Sequence, residues 1–200
     1  GRIVEGDLDH DLHVEHDGIK EHLAAAEAFV LREPYRSVLV VADARTGKTS
    51  FLMLLGARAA AQGWTVFEAG AASLMAGQQY FGQLEERLRR LSTELAVEKR
   101  VLWYVPDFLQ LAASGTHVSQ AASLLDQVLP AIAAGRIVMV SETTPAALTS
   151  ILQRRPALRS AVELVRLRQL TDVECDKLAR EVAARVATVA GVAIAPEVTD

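Results

Sequence analysis

The feature that most restricts the fold of this chain is a regular alternation of short apolar segments with helical patterns. The first apolar segment, 37–42, is rich in β-branched residues, and a glycine-containing loop and a helical pattern follow it directly. Such a run is typical of a strand buried on both faces of a parallel sheet. The other strand-like segments are 64–68, 101–105, 136–141 and 162–167. Because parallel strands need right-handed crossovers, the sequence predicts an α/β fold in three layers, with a five-stranded parallel sheet between helices.

The same patterns divide the chain into three parts. Residues 1–18 form a polar opening segment, and residues 19–170 hold the alternating strands and helices of a large α/β domain. From Thr171, a candidate N-cap, the pattern is helical again until Gly191. We expect residues 171–200 to be the beginning of a small helical domain that is truncated at the last residue.

Composition excludes several classes of function. The formal net charge is -4 and the sequence pI is near 5.8, so the chain lacks the basic character that binding to nucleic-acid phosphates requires. Its apolar runs are far shorter than the roughly 20 residues of a membrane-spanning helix. The single cysteine, Cys175, cannot form an internal disulfide. We therefore expect a cytoplasmic protein with no nucleic-acid partner and no membrane association.

The clearest functional signal is the loop at 42–49, which reads ADARTGKT and lies between the first apolar segment and its helix. It fits the strand–loop–helix phosphate motif except that alanine replaces the first glycine. In such a loop Gly47 lets the backbone approach closely, Lys48 meets the terminal phosphates, and the Thr49 hydroxyl binds Mg²⁺. The residues expected to contact the nucleotide are Asp43, Ala44, Arg45, Thr46, Gly47, Lys48, Thr49 and Ser50. The alternative is a turn and helix start that carries an incidental lysine.

Phosphoryl transfer at such a loop also needs a carboxylate at the end of an adjacent strand. The apolar segment 101–105 leads into this position, but an Asp-Glu pair is missing and Pro106 stands at the place of an acid. Asp107 is the acid available there, as a metal ligand and catalytic group. The alternative is a surface carboxylate after a strand. Nucleotide binding is therefore better supported by the sequence than hydrolysis.

Several further segments carry a resemblance to a known family. They are 73–88, 101–115, 141–144 and 157–158. Together with the phosphate loop they resemble the first AAA+ module of the Clp family of unfoldases, over nearly the whole chain from about Ile19. The resemblance implies a P-loop NTPase fold of the AAA+ type and ATP or ADP with Mg²⁺ as cofactors. It also implies a hexameric ring in the full-length protein and a polypeptide as substrate.

The resemblance assigns roles to particular residues. In the Clp family a tyrosine loop before a charged helix lines the central pore of the ring and grips the substrate, and Tyr80, followed by Phe81, occupies that place. Thr143 and Thr144 match the first sensor of the family, a polar group between the terminal phosphate and the attacking water. The alternatives are a tyrosine buried at a helix entrance, and threonines that cap the helix beginning at Pro145.

The chain departs from the family where catalysis needs charged groups. Paired arginines follow the alanine and leucine of this motif in the family, whereas this chain has Ser160 and Ala161 at that place, with Arg159 one position early. The alternative is that Arg154, Arg155 or Arg159 substitutes after a shift in register. An arginine finger contributes about 10³–10⁵ in rate. Since the acid pair is also incomplete, we expect an ATP-binding module with weak or impaired hydrolysis. The alternative is a degenerate, non-hydrolysing module that acts as a structural or regulatory partner in a ring.

Overall fold

The computed structural model describes residues 1–4, 13–76, 81–98, 100–114 and 123–191. Within these ranges the strands are β1 (Arg2–Ile3), β2 (Ser37–Val41), β3 (Thr65–Glu68), β4 (Val101–Val105), β5 (Val138–Thr143) and β6 (Val162–Arg166). The helices are α1 (Asp17–Leu31), α2 (Lys48–Ala61), α3 (Ala71–Met75), α4 (Phe81–Val97), α5 (Phe108–Ala113), α6 (Leu124–Ala133), α7 (Pro145–Arg154), α8 (Leu158–Ala161) and α9 (Asp172–Ala190).

The strands form one sheet in the order β1-β3-β4-β5-β2-β6. The five strands β2 to β6 pair with one another in the parallel direction, which confirms the predicted five-stranded parallel sheet. β1 pairs with β3 in the antiparallel direction, with Arg2 opposite Glu68 and Ile3 opposite Phe67. β1 was not predicted, because a strand of two residues is too short to show an alternating pattern.

Both faces of the sheet are buried, each in its own hydrophobic core. On β2, Leu39 and Val41 face the core under α4 to α8, whereas Val38 and Val40 face the core under α1 and α2. Successive side chains of a strand point to opposite faces. The unbroken apolar run that predicted a doubly covered strand therefore has a direct structural basis, and the predicted three-layer arrangement is confirmed.

The carboxyl ends of the central strands lie side by side and form the edge that carries the candidate site. Val41 of β2 is opposite Thr143 of β5, and Val105 of β4 is opposite Ser141 of β5. Because β5 lies between β2 and β4, a side chain at the end of β5 is close to the loop that follows β2. Ligands of open parallel sheets bind at this edge.

Some element boundaries differ from those predicted. β5 covers Val138–Thr143 rather than 136–141, so Thr143 belongs to the strand and not to the segment after it. α2 begins at Lys48, one residue earlier than expected. Three short helices, α3, α5 and α8, were not predicted, because a helix of about one turn has too few residues for a periodic pattern.

The last described helix, α9, begins and ends as its sequence predicts. The Thr171 side chain accepts a hydrogen bond from the Glu174 amide, and the Glu174 carboxylate accepts one from the Thr171 amide. Gly191 ends the helix with a φ of 64°. The assignment of residues 171–200 to a separate small domain stays a prediction. In the described ranges, no helix is long and apolar enough to span a bilayer.

Candidate functional site

The phosphate loop connects β2 to α2 and opens at the N-terminus of that helix. Gly47 is the N-cap of α2 with a φ of 83°, in the left-handed region that favours glycine. A Cβ atom placed on Gly47 would meet nothing within 4 Å, so the backbone here faces open space. A helix N-terminus with unpaired amides attracts anions. The local geometry leaves room for an anion at the start of α2, and contact of this loop with a nucleotide stays a prediction.

Ala42, which replaces the first glycine of the motif, fits its position without strain. Among the described non-glycine residues, positive φ angles occur at Arg45 and Arg100, so the backbone of Ala42 is open to any residue. Its methyl group is buried, with 3% of the residue exposed. The departure from the motif therefore does not prevent the loop from forming.

Two side chains fold the loop back on itself. Lys48 Nζ donates a hydrogen bond of 2.7 Å to the carbonyl oxygen of Asp43, and Thr46 Oγ1 donates one of 2.8 Å to the same oxygen. These bonds place the Lys48 ammonium beside the loop that would cradle phosphates. The side chains of Asp43, Ala44 and Arg45 are exposed along the same loop.

Glu142, near the end of β5, is a site residue that the sequence analysis missed. Thr49 Oγ1 donates to both of its carboxylate oxygens, at 3.1 Å to Oε1 and 3.0 Å to Oε2. Burial raises the pKa of Glu142, while the Thr49 hydrogen bond and the charge of Lys48 lower it, and the charge of Asp107 raises it further. The sequence feature that could have indicated Glu142 is a single acidic residue near the carboxyl end of an otherwise apolar strand.

The acids and hydroxyls that were predicted at this edge have other local roles as well. Asp107 is exposed and caps α5, where its carboxylate accepts a 3.0 Å hydrogen bond from the Gln110 amide. Thr144 caps α7 through a 3.3 Å hydrogen bond from the Ala147 amide. Thr143 differs from both, because its buried Oγ1 has no hydrogen-bond partner among the described residues. A buried polar atom without a partner is uncommon in folded proteins.

The predicted pore loop falls largely outside the described residues. Tyr80 lies outside the described residues, and Phe81 is the first residue of α4, with its side chain also outside the description. Their role stays a prediction.

The arginines in the segment that would hold an arginine finger have different surroundings. Ala161 is fully buried at the end of α8, so this position faces the core. Arg155 has an ion pair of 2.6 Å with Asp126 and only 12% of its side chain is exposed. Arg159 is exposed at the start of α8.

A cavity of about 520 Å³ lies beside the phosphate loop and provides room for a bound molecule. Its volume is within the usual range of small-molecule sites, about 300–1,000 Å³. Loop residues form one wall and apolar side chains of α1 and α9 form the other. The lining residues are Val14, His16, Ile19, Ala44, Arg45, Thr46, Gly47, Ser50, Gln169, Leu170, Cys175, Leu178 and Val182. Burial lowers the pKa of His16 in this wall, which favours its neutral form.

Comparisons of sequence relate the chain to ClpB chaperones, although no protein-family model matches it. The chaperone protein ClpB 2 of Parasynechococcus marenigrum is 27% identical over 146 residues, which cover 69% of this chain and 16% of that protein. The chaperone protein ClpB of Aquifex aeolicus is 26% identical over 136 residues, 64% of this chain and 13% of that protein. The chain thus spans about a sixth or less of the length of these relatives.

Solved structures of S. cerevisiae Hsp104 share the fold. The Hsp104–ADP complex matches with a TM-score of 0.72 and 20% identity, over 92% of this chain and 32% of that one. The Hsp104–casein complex in its extended conformation matches with a TM-score of 0.72 and 20% identity, over 89% of this chain and 31% of that one. At this level of identity, the matches show that the chain shares the fold of these Hsp104 structures. The shared fold is an α/β fold with a mixed sheet of mostly parallel strands.

The described donor groups suit a cation that arrives with a nucleotide rather than a metal bound by protein alone. In the described part of the chain, no group of three or more His, Cys, Asp or Glu side chains could hold a metal ion. Mg²⁺ commonly binds through one or two carboxylates together with substrate phosphates. The Thr49 hydroxyl and the Glu142 carboxylate fit this mode.

Proposed function

We propose that this chain binds ATP and ADP with Mg²⁺, as the nucleotide-binding module of a Clp-like chaperone or unfoldase with weak or impaired ATP hydrolysis. The observation that carries the proposal is the phosphate loop, where Gly47, Lys48 and Thr49 meet at the open N-terminus of α2. The relatives are chaperones by name, and one of the matched Hsp104 structures is an ADP complex. Both facts agree with this assignment.

The geometry suggests how the nucleotide would lie. The amides of the loop and of the first turn of α2 would contact the phosphates, and Lys48 would leave the Asp43 carbonyl to meet the terminal ones. The adjoining cavity, with its apolar wall of Ile19, Leu178 and Val182, would hold the nucleoside. A bound Mg²⁺ would neutralise phosphate charge and polarise the terminal phosphoryl group.

We propose weak hydrolysis because the chain lacks the acid pair and the paired arginines that assist ATP hydrolysis in the Clp family. Val105 and Pro106 end β4 without a carboxylate, and Ser160 with Ala161 stands where the Clp family has paired arginines. Asp107 and Thr143 are then the remaining candidates for catalytic groups. The unpaired Thr143 hydroxyl supports Thr143 as the sensor, because Thr144 already caps α7.

We extend the proposal to the assembly and its substrate. A hexameric ring would place Tyr80 and Phe81 at a central pore, where aromatic side chains grip a polypeptide independently of its sequence. Hsp104, which this module matches in fold, has been solved in complex with casein. The balanced charge supports a protein substrate over nucleic acid, and a cytoplasmic location stays a prediction.

The second candidate is a non-hydrolysing module that supports or regulates a ring. It is favoured by Val105, Pro106 and Ala161, because none of these can replace the missing acid or arginine. The two candidates differ in ATP turnover and not in the loop itself.

The test is a calorimetric titration of the chain with ATP and with ADP, in the presence of Mg²⁺, for the wild type and Lys48→Ala. We expect wild-type affinity in the micromolar range. Lys48→Ala should weaken binding by about tenfold or more, because a hydrogen bond to a charged group contributes about 1.5–3 kcal/mol. ATP turnover measured on the same samples separates the first candidate from the second.

Lys20→Ala is the matched control, since it also removes one partly exposed lysine charge but from α1, where Lys20 pairs with Asp17. Its nucleotide affinity should equal that of the wild type. Equal affinity of Lys48→Ala and the wild type, or no binding by either, would contradict the proposed function.

A further inference from the structure

The hydrogen bond between Thr49 and Glu142 joins a loop hydroxyl to a carboxylate from a strand next to the loop. Both carboxylate oxygens lie within 3.1 Å of Thr49 Oγ1. Thr49 is the residue whose hydroxyl would bind Mg²⁺ in a phosphate loop. Glu142 is therefore the acid that the structure places in direct contact with this hydroxyl.

The end of β4, where the acid of a phosphate-loop site normally stands, has no carboxylate that can serve. Val105 is fully buried in the core, and Pro106 has no side-chain oxygen. Asp107 follows, but its carboxylate binds the Gln110 amide at the start of α5. The strand that should supply the acid thus ends in an apolar residue and a helix cap.

The order of the strands explains why an acid on β5 can replace one on β4. β5 lies between β4 and β2, so its end is one strand closer to the phosphate loop. Glu142 is one residue beyond Ser141, which pairs with Val105, and it follows Val140 on the face covered by α2. The side chain therefore points toward the first turn of the helix that carries Thr49.

Charge balance also points to a cation at this position. Glu142 is partly buried, and its hydrogen-bond partner among the described residues is the neutral Thr49 hydroxyl. Lys48 acts on it at longer range and donates its own hydrogen bond to Asp43. A partly buried carboxylate is stabilised when a cation binds close to it.

We propose that Glu142, together with the Thr49 hydroxyl, holds the Mg²⁺ of the bound nucleotide and takes the place of the acid missing from the end of β4. The inference rests on the proposed nucleotide binding and names the metal ligand of that same site. Asp107 is then a helix cap and not a ligand of the cation.

The test compares Glu142→Gln with Asp107→Asn, which each remove one negative charge and keep the size of the side chain. Binding of a fluorescent ADP analogue is titrated with Mg²⁺, and Mn²⁺ replaces Mg²⁺ for detection of the bound ion by electron paramagnetic resonance. We expect Glu142→Gln to raise the half-saturating Mg²⁺ concentration by about tenfold or more. Its ADP affinity in EDTA should be unchanged or higher, because a negative charge near the phosphates is removed.

Asp107→Asn should keep the wild-type dependence on Mg²⁺ and the wild-type Mn²⁺ spectrum. Glu142→Asp keeps the carboxylate on a shorter side chain, so its half-saturating Mg²⁺ concentration should lie between those of the wild type and Glu142→Gln. Thermal melting shows that each variant is folded. Wild-type Mg²⁺ dependence in Glu142→Gln, or a shift in Asp107→Asn alone, would overturn the inference while leaving nucleotide binding intact. Absence of ADP binding by the wild type, with or without Mg²⁺, would overturn the proposed function as well.

Discussion

Ala42 and Gly47 stand at the two ends of the phosphate loop and have opposite backbone requirements. Ala42 has no positive φ and is 3% exposed, whereas Gly47 has a φ of 83°. Replacing Ala42 by the glycine of the usual motif should therefore destabilise the protein by about 1 kcal/mol, since a buried methyl group is lost and the unfolded chain gains freedom. The free energy of unfolding in urea measures this effect.

Gly47→Ala is the matched comparison on the same loop. Nothing lies within 4 Å of the added Cβ, so its cost of about 1–2 kcal/mol comes from the left-handed backbone alone. The methyl group would also stand in the space through which phosphates approach, so nucleotide affinity should fall in Gly47→Ala and not in Ala42→Gly. An Ala42→Gly protein more stable than the wild type would contradict this account.

Some residues of the candidate site can be predicted from a short stretch of sequence, and others cannot. Gly47, Lys48 and Thr49 were predicted because a phosphate loop is a contiguous motif between a strand and a helix. Glu142 was not, because its role depends on β5 lying beside β2, and strand order is set by tertiary contacts. The capping role of Asp107 was also missed, because α5 is too short to be predicted.

At the scale of elements, one ion pair links the start of α6 to the end of α7. The Arg155 guanidinium donates hydrogen bonds of 2.6 and 2.7 Å to the two carboxylate oxygens of Asp126, which lowers the pKa of Asp126 to about 2. We expect Asp126→Asn to lower the free energy of unfolding by about 1–3 kcal/mol, because it leaves a largely buried guanidinium without its charge partner. Urea denaturation at neutral pH measures this loss.

The sign of the pH dependence follows from the lowered pKa of Asp126. The stabilisation is fully present above the unfolded pKa of 3.8 and is lost as the pH falls toward about 2. The difference in stability between the wild type and Asp126→Asn should therefore narrow below about pH 4. Asp17→Asn is the control, since Asp17 pairs with Lys20 and Lys177 on the exposed surface and its loss should change stability little. A constant difference at every pH would contradict this role for Asp126.

Long elements were predictable and short ones were not. The α9 helix carries a capping box at Thr171 and Glu174 and a terminal glycine, all visible in the sequence. α6 has an equivalent capping box at Ser123 and Asp126. The helices that were not predicted are about one turn long, and in such short segments tertiary contacts decide the conformation.

At the scale of the molecule, the layers could be predicted and the strand order could not. Unbroken apolar strands that alternate with helices require a parallel sheet covered on both faces, and the structure has one. The antiparallel edge strand β1 depends on a pairing across more than sixty residues, Arg2 with Glu68, which leaves no local pattern. The same long-range order brings Glu142 beside the phosphate loop.

Two cores that share one sheet should unfold together. Leu23 of α1 and Leu125 of α6 are fully buried on opposite faces, so replacing either by alanine should cost about 2–5 kcal/mol and lower stability throughout the molecule. The two tryptophans report the faces separately, since Trp64 lies in the core with Leu23 and Trp103 in the core with Leu125. Fluorescence of single-tryptophan variants during urea denaturation should give one common midpoint, shifted equally for both probes by either leucine substitution. Different midpoints for the two tryptophans would mean that α1 and α2 form a unit independent of the opposite core.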